Sequence, residues 1–191
     1  MRLSRKNTAR AFEIIEASGV MRAWESVGAE PRLVGSLRMG LLMKHKDIDI
    51  HIYSDELSVE KSFAAVSSLA ANPSFGRIEY TNLAHTEEEC LEWHAWYTGS
   101  GGEVWQFDMI HILRGSFFDG YCEKVADRVT GLLTPRQRET VLRLKYETPS
   151  DEKIPGISYY RGVLEGGVSG YEEFIRWTRT NAGDGTQLWM P

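Results

Sequence analysis

Two acidic residues, Asp47 and Asp49, flank a single isoleucine in the run DIDIHIY at residues 47–53. Side chains two apart in an extended strand share a face. Asp47, Asp49, His51 and Tyr53 therefore fall on one side, and Ile48, Ile50 and Ile52 on the other. The isoleucine side reads as core. Carboxylates held roughly 6–7 Å apart at Cβ repel each other, and a hard divalent cation resolves that conflict by binding both. A bare Asp-x-Asp in a strand is more often a solvated edge beside cations such as Lys44 and Lys46. Upstream, after a spacer of ten residues, stands the pair Gly35-Ser36 in VGSLRMGLLMKHKDIDI. An extended stretch running into Gly-Ser and then a helix offers backbone N–H groups and a hydroxyl to an anion. An anion cradle beside metal-binding acids is what a nucleoside triphosphate requires.

The elements that must position these groups follow from periodicity. Apolar residues at helical spacing predict a helix over 8–24, ending before Gly28 and Pro31. A short extended stretch (31–35), a short helix (36–43) and the strand 47–53 follow. A second helix covers 58–71 and closes at Asn72-Pro73. Strand-like runs span 77–83, 91–98 and 103–113, the last two joined by Gly99-Ser100-Gly101-Gly102, a hairpin signal. Helical patterns return over 117–133, over 134–146 with Thr134-Pro135 as cap and first-turn proline, and over 170–180. Loops or short helices occupy 149–170, and NAGDGTQLWMP is expected to be a mobile tail. This order predicts an α/β (α+β) fold, a mixed β-sheet flanked by helices, with a C-terminal helical region.

Val34-Gly35-Ser36, a ten-residue spacer and Asp47-Ile48-Asp49-Ile50 together resemble the signature of the DNA polymerase beta-like nucleotidyltransferase superfamily. The close likeness covers about twenty residues, and the order of elements over roughly 8–113 agrees with it. The resemblance implies a nucleotidyltransferase core at 1–115 with a helical region at 116–191 packed on it. It also implies a third carboxylate on a later neighbouring strand. Asp108, the single acid inside the apolar strand VWQFDMIHI, is the candidate, and Glu103 at the strand mouth is the weaker alternative. A charge at Asp108 needs a partner, so a structural ion pair is the plain alternative there.

The implied chemistry is transfer of a nucleoside monophosphate from an NTP to a hydroxyl, with release of pyrophosphate. Asp47 and Asp49 would bridge two Mg²⁺ ions about 3.5–4 Å apart, with Mn²⁺ as a substitute. Asp108 would ligate the ion that activates the acceptor and take its proton. Gly35 and Ser36 would hold the β- and γ-phosphates, with Arg38 and Lys44 as cations within reach of the triphosphate or, equally, ordinary surface charges. The plan further resembles the small antibiotic-modifying nucleotidyltransferases of aminoglycoside or lincosamide type, on architecture rather than on a diagnostic motif.

Composition narrows the partners. The 191 residues carry 22 Lys and Arg against 27 Asp and Glu, a net charge of −5. That balance disfavours generic binding to nucleic acid or anionic membranes while leaving room for a local basic patch. It favours a small-molecule or protein acceptor. Cys90 and Cys122 stand alone, as reduced thiols of a cytoplasmic protein would. No apolar run reaches the length of a membrane span, and the basic amino-terminal stretch lacks a signal-peptide core.

Several rival readings attach to particular residues. His85, Cys90 and His94 suggest zinc but lack a fourth ligand at a recognised spacing. Trp93, Trp96, Tyr97 and Trp105 read as sheet packing, or as a stacking wall for a base. His51 shares the aspartate face, and His111 falls opposite Asp108. LTPRQRETVLRLKYE looks like the opening of a DNA-binding helix-turn-helix over 133–160, whose recognition helix would have to follow after a short turn. A catalytically idle nucleotidyltransferase-fold binding protein is the remaining alternative. The base, the acceptor and the oligomeric state stay open.

Overall fold

A computed structural model describes residues 1–181 and 188–191. Within them the chain forms eight helices and one five-stranded sheet. Helices α1 (Arg2–Ser18) and α2 (Val20–Glu25) precede strand β1 (Glu30–Leu33), the one-turn helix α3 (Gly35–Arg38) and β2 (Asp47–Ser54). Helix α4 (Val59–Ala70) leads to β3 (Phe75–Leu83), β4 (Cys90–Thr98) and β5 (Val104–Leu113). Helices α5 (Tyr121–Leu132), α6 (Pro135–Glu147), α7 (Gly156–Leu164) and α8 (Tyr171–Thr180) complete the chain.

The strand order is β1-β2-β5-β4-β3, with β2 and β5 parallel and the other neighbours antiparallel. Alternation works as the sequence demands. Ile48, Ile50, Ile52, Phe107 and Met109 are fully buried on one face, where α1, α2 and α4 cover them with Ile14, Trp24 and Val66. A second apolar cluster joins α5–α8 to Met39, Leu41 and Met43 of the loop before β2. The site lies where these two clusters meet.

Several boundaries differ from expectation for local reasons. The expected helix 8–24 is two helices, because Gly19 adopts a left-handed conformation (φ 73°) between them. The short helix stops at Arg38, two residues before Gly40 at φ 63°. Helix α5 starts only at Tyr121, since the Asp119 carboxylate accepts from Gly115 N–H in a turn that closes at Gly120, φ 68°. Thr134 forms the expected cap with Pro135 in the first turn, and its hydroxyl and the Gln137 side chain complete a capping box.

The helix-turn-helix expectation over 133–160 does not hold. Residues 148–155 separate α6 from α7 in place of a short turn, and Val141, Leu142 and Leu144 of α6 are buried in the second cluster. Of the expected mobile tail, residues 182–187 lie outside the described residues. Trp189 beyond them is buried, and its indole donates to Glu165 at 2.5 Å. Among the described residues no helix is long and apolar enough to cross a membrane.

Candidate active site

Parallel pairing of β2 with β5 sets Asp49 beside Asp108 and Asp47 beside Gln106 in register. All four side chains leave the sheet opposite the isoleucines. The Gly35-Ser36 turn is tied to this point by Val34 N–H donating to the Asp49 carbonyl at 3.0 Å. Gly35 has φ 61°, and a Cβ built on it would lie 1.9 Å from Asp49 Oδ2. Only glycine permits that approach. The Ser36 backbone N–H donates to the Asp49 carboxylate. A cavity of about 560 Å³ opens here, lined by Gly35, Ser36, Asp47, Asp49 and Asp108 from the sheet side and by Lys145 and Tyr160 from the helical side.

Charge in the cavity is crowded. Burial, then the charges of Asp108 and Asp47, push Asp49 up to about 7, against the pull of Lys145 and the Ser36 N–H. Asp47 is raised by burial and by Asp108, with His45, Lys153 and Lys145 opposing. Burial lowers Lys145 to about 8 although Asp49 and Asp47 attract its proton. Its ammonium donates to Leu41 O at 3.2 Å and Tyr160 Oη at 3.0 Å. The ammonium thus shares the cavity with two carboxylates while its hydrogen bonds go to the Leu41 carbonyl and the Tyr160 hydroxyl.

Asp108 is differently engaged. Its Oδ1 accepts from Gln106 Nε2 at 2.7 Å and lies 2.5 Å from His94 Nδ1. The other ring nitrogen of His94 is 3.2 Å from Glu92. Burial lowers the His94 pKa, but the bond to Asp108 and the charges of Asp108 and Glu92 outweigh it, and the net shift is upward. Among the described residues no three His, Cys, Asp or Glu side chains already enclose an ion position. The donors nevertheless fit Mg²⁺ in kind. They are hard carboxylate oxygens in mutual repulsion, and Mg²⁺ takes one or two carboxylates and completes its shell with water and substrate phosphates. Asp49 is turned against the Gly35-Ser36 backbone, and Asp108 against His94.

The other candidate residues divide. Lys44 lines the cavity, with its ammonium on the Thr148 carbonyl. Arg38 does not line it and instead pairs with Asp127 at 2.8 Å. Glu103 lies away from the aspartates, paired with Arg10 at 2.6 Å. His85 is exposed in a loop, Cys90 is buried with its thiol pushed up to about 11, and His94 faces Asp108, so the three do not gather. His51 lines the cavity, while His111 is buried on the far face against Ser54 and Trp24. Trp93, Tyr97 and Trp105 are packed in the core, and Trp96 lies on the aspartate face.

Sequence reasoning missed Lys145 and Tyr160. The signal was there for Lys145: it lies four residues after Val141 and three after Leu142, a lone charge on the buried stripe of α6.

No protein-family model matches the chain, and no curated protein matches it by sequence. Solved structures do match. The Cid1 poly(U) polymerase with MgGTP bound has a TM-score of 0.62 at 18% identity, over 83% of this chain and 50% of that one. The non-canonical poly(A) polymerase GLD-2, in complex with GLD-3, has a TM-score of 0.57 at 13% identity, over 83% and 52%. A cytoplasmic RNA terminal U-transferase has a TM-score of 0.52 at 17% identity, over 84% and 53%. The chain thus has the fold of these nucleotidyltransferases and spans about half the length of the structures it matches. The mixed sheet flanked by helices, expected from the order of elements along the chain, is the fold observed.

Proposed function

We propose that the chain is a metal-dependent nucleotidyltransferase that moves a nucleoside monophosphate from an NTP to an acceptor hydroxyl and releases pyrophosphate. One observation carries this reading: Asp47, Asp49 and Asp108 face one cavity with the Gly35-Ser36 turn and Lys145. The fold shared with a poly(U) polymerase that has MgGTP bound supports it.

In this reading Asp47, Asp49 and Asp108 hold Mg²⁺, two ions, with Mn²⁺ as a substitute. Bound there, the metal supplies charge neutralisation for the triphosphate and for the developing alkoxide. The protein's own groups do the rest. The backbone of Gly35 and Ser36 lies against the β- and γ-phosphates at the start of α3, with the serine hydroxyl as a further donor. Lys145 exchanges its bond to the Leu41 carbonyl for a phosphate oxygen, and Tyr160 steers the ammonium. Lys44 stands at the rim as a second cation. Asp108 is placed to take the acceptor proton. The acceptor oxygen then bonds to the α-phosphorus, and the α–β bridging bond breaks.

The acceptor is the finer question. The net charge of −5 favours a small molecule or a protein, whereas the structural neighbours are polymerases and transferases of RNA. A catalytically idle binding protein is the contrary reading, and the three carboxylates in one cavity weigh against it.

The test is incubation with each α-labelled NTP, Mg²⁺ and a panel of hydroxyl acceptors. Transfer by the parent and none by Asp47→Asn or Asp49→Asn is expected. Transfer that persists in both variants, or none by the parent with any acceptor, sinks the reading.

A further inference from the structure

Strand β3 is one edge of the sheet, with β4 as its inner neighbour. Among the described residues, no backbone group from Gly76 to Asn82 is hydrogen-bonded outside the β3–β4 ladder. Gly76, Arg77, Glu79, Thr81 and Asn82 are exposed there, and Ile78 and Tyr80 are half-buried. An open edge of this kind is a template for another strand unless proline or like charges blunt it. Between Gly76 and Asn82 the charged residues are Arg77 and Glu79, of opposite sign and on one face.

Opposite sign makes the strand complementary to itself. With two copies antiparallel about a two-fold axis at Ile78, Arg77 faces the partner's Glu79 and Glu79 faces the partner's Arg77. Within one chain Arg77 and Glu79 already form an ion pair. In the ladder each of the four charges gains a second opposite neighbour, across the strands. An axis at Glu79 would set glutamate against glutamate, and an axis at Tyr80 would set Arg77 against the partner's Leu83, so charge selects the register. The Ile78 axis also puts Gly76 opposite the partner's Tyr80. Gly76 has no left-handed φ, and a Cβ built on it would meet nothing within 4 Å in its own chain. The single chain does not require glycine there, whereas an aromatic ring facing it uses the space. The register with β4 shifts between Phe75 and Arg77, which ends the regular edge at Gly76.

A second observation lies on the helix beside this edge. From Ser62 to Gly76 the sequence carries no charge. Much of that stretch is nevertheless surface: Phe63 is 45% exposed, and Ala64, Ser67, Ser68, Ala70 and Ala71 are exposed with it. Edge-on contacts with Tyr80 and Trp93, at 4.7 and 4.8 Å between ring centroids, place Phe63 on the β3 side of α4. Ser67 and Ala70 continue that side at helical spacing. A face that stays in water normally carries charges of both signs. Small uncharged side chains beside a phenylalanine suit the close approach of a second helix.

We propose that this edge binds a second copy of the chain, β3 against β3 antiparallel about Ile78, with the two α4 helices side by side over the junction. The two five-stranded sheets then become one continuous sheet. The two-fold axis stands perpendicular to that sheet, so both aspartate cavities open on the same side of it. With strands about 4.8 Å apart, the two β2 strands lie roughly 34 Å from each other, measured without twist. The proposal is independent of the nucleotidyltransferase reading, since none of Asp47, Asp49 and Asp108 takes part in the contact.

The test is sedimentation equilibrium of the whole chain over a wide range of concentration, without metal or nucleotide. The parent should pass from monomer to dimer as concentration rises. Arg77→Glu and Glu79→Arg each set like charges across the axis, and each should weaken the dimer at least about tenfold. The double variant Arg77→Glu/Glu79→Arg restores opposite pairing and should return the dissociation constant to within a few-fold of the parent's. Both side chains are exposed, so circular dichroism should show the parental fold in all three variants. A chain that stays monomeric at every concentration, a dimer indifferent to the single reversals, or a double variant that does not recover overturns the proposal.

Discussion

At the scale of single residues the site is a problem of crowded charge. The Asp49 carboxyl sits near 7 in the fold against about 3.9 in an unfolded chain. A raised acid favours the folded state while protonated, so this stability is full below pH about 4 and is lost as pH climbs through about 7. Asp49→Asn should therefore melt higher than the parent at pH 8 without metal, and the gap should close near pH 4. Equal melting at pH 8 would show that the carboxylate is not crowded. Lys145 offers the complementary case. Replacing it with methionine removes a charge-assisted bond to phosphate, worth about 2 kcal/mol, so NTP affinity should fall roughly 30-fold in equilibrium dialysis. Undiminished affinity would place the phosphates elsewhere.

At the scale of elements, close approach and burial decide. Gly35 at φ 61° has no room for a Cβ against Asp49. Gly35→Ala should displace Asp49 and remove transfer while leaving the sheet's circular dichroism intact; full activity would contradict the cradle. Strand β5 carries a second titration on its core side. Burial lowers His111 from its ordinary value to about 4, with its ring against Trp24 of α2 and bonded to Ser54. A depressed histidine stabilises the fold above pH about 6.5, and that contribution is lost as pH falls through about 4, about 3 kcal/mol in all. Because Asp49 works in the opposite sense over the same range, the measurement is a difference: the stability advantage of the parent over His111→Gln in denaturant melts should shrink as pH falls from 7 to 4, and a constant difference would contradict it.

How much of this was legible in the sequence also differs by element. The strand of Asp47 and Asp49 was readable because a period of two separates charge from isoleucine. Asp108 was readable as a lone acid in an apolar strand, but its partner was not: only the antiparallel register of β4 brings His94 to it, and register depends on long-range pairing. Lys145 was hidden because its helix resembled the opening of a DNA-binding motif, and helix α6 acquires its role only by packing over the sheet's cavity. Arg38, by contrast, was near in sequence to the phosphate turn and is carried away by the direction of a one-turn helix.

At the scale of the molecule, two apolar clusters meet at the cavity, one beneath the sheet and one among the C-terminal helices. A ligand that touches Ser36 on one side and Lys145 on the other clamps both. A non-hydrolysable NTP with Mg²⁺ should therefore stabilise the whole chain, by about 2.7 kcal/mol at a hundredfold excess over Kd, and the gain should vanish in Asp49→Asn. Net charge is a poor guide at this scale. The −5 total says nothing of where charge lies: Lys6, Arg10 and Lys46 share one groove with Glu13 and Glu103, apart from the carboxylates of the cavity.

The most direct measurement is a crystal structure with Mn²⁺ and a non-hydrolysable NTP, read by anomalous scattering. The expected result is a metal peak bridging Asp47 and Asp49, a second against Asp108 with His94 displaced, and the triphosphate between Gly35-Ser36 and Lys145. A bound nucleotide with no metal at these carboxylates, or metal gathered elsewhere on the chain, would contradict the account.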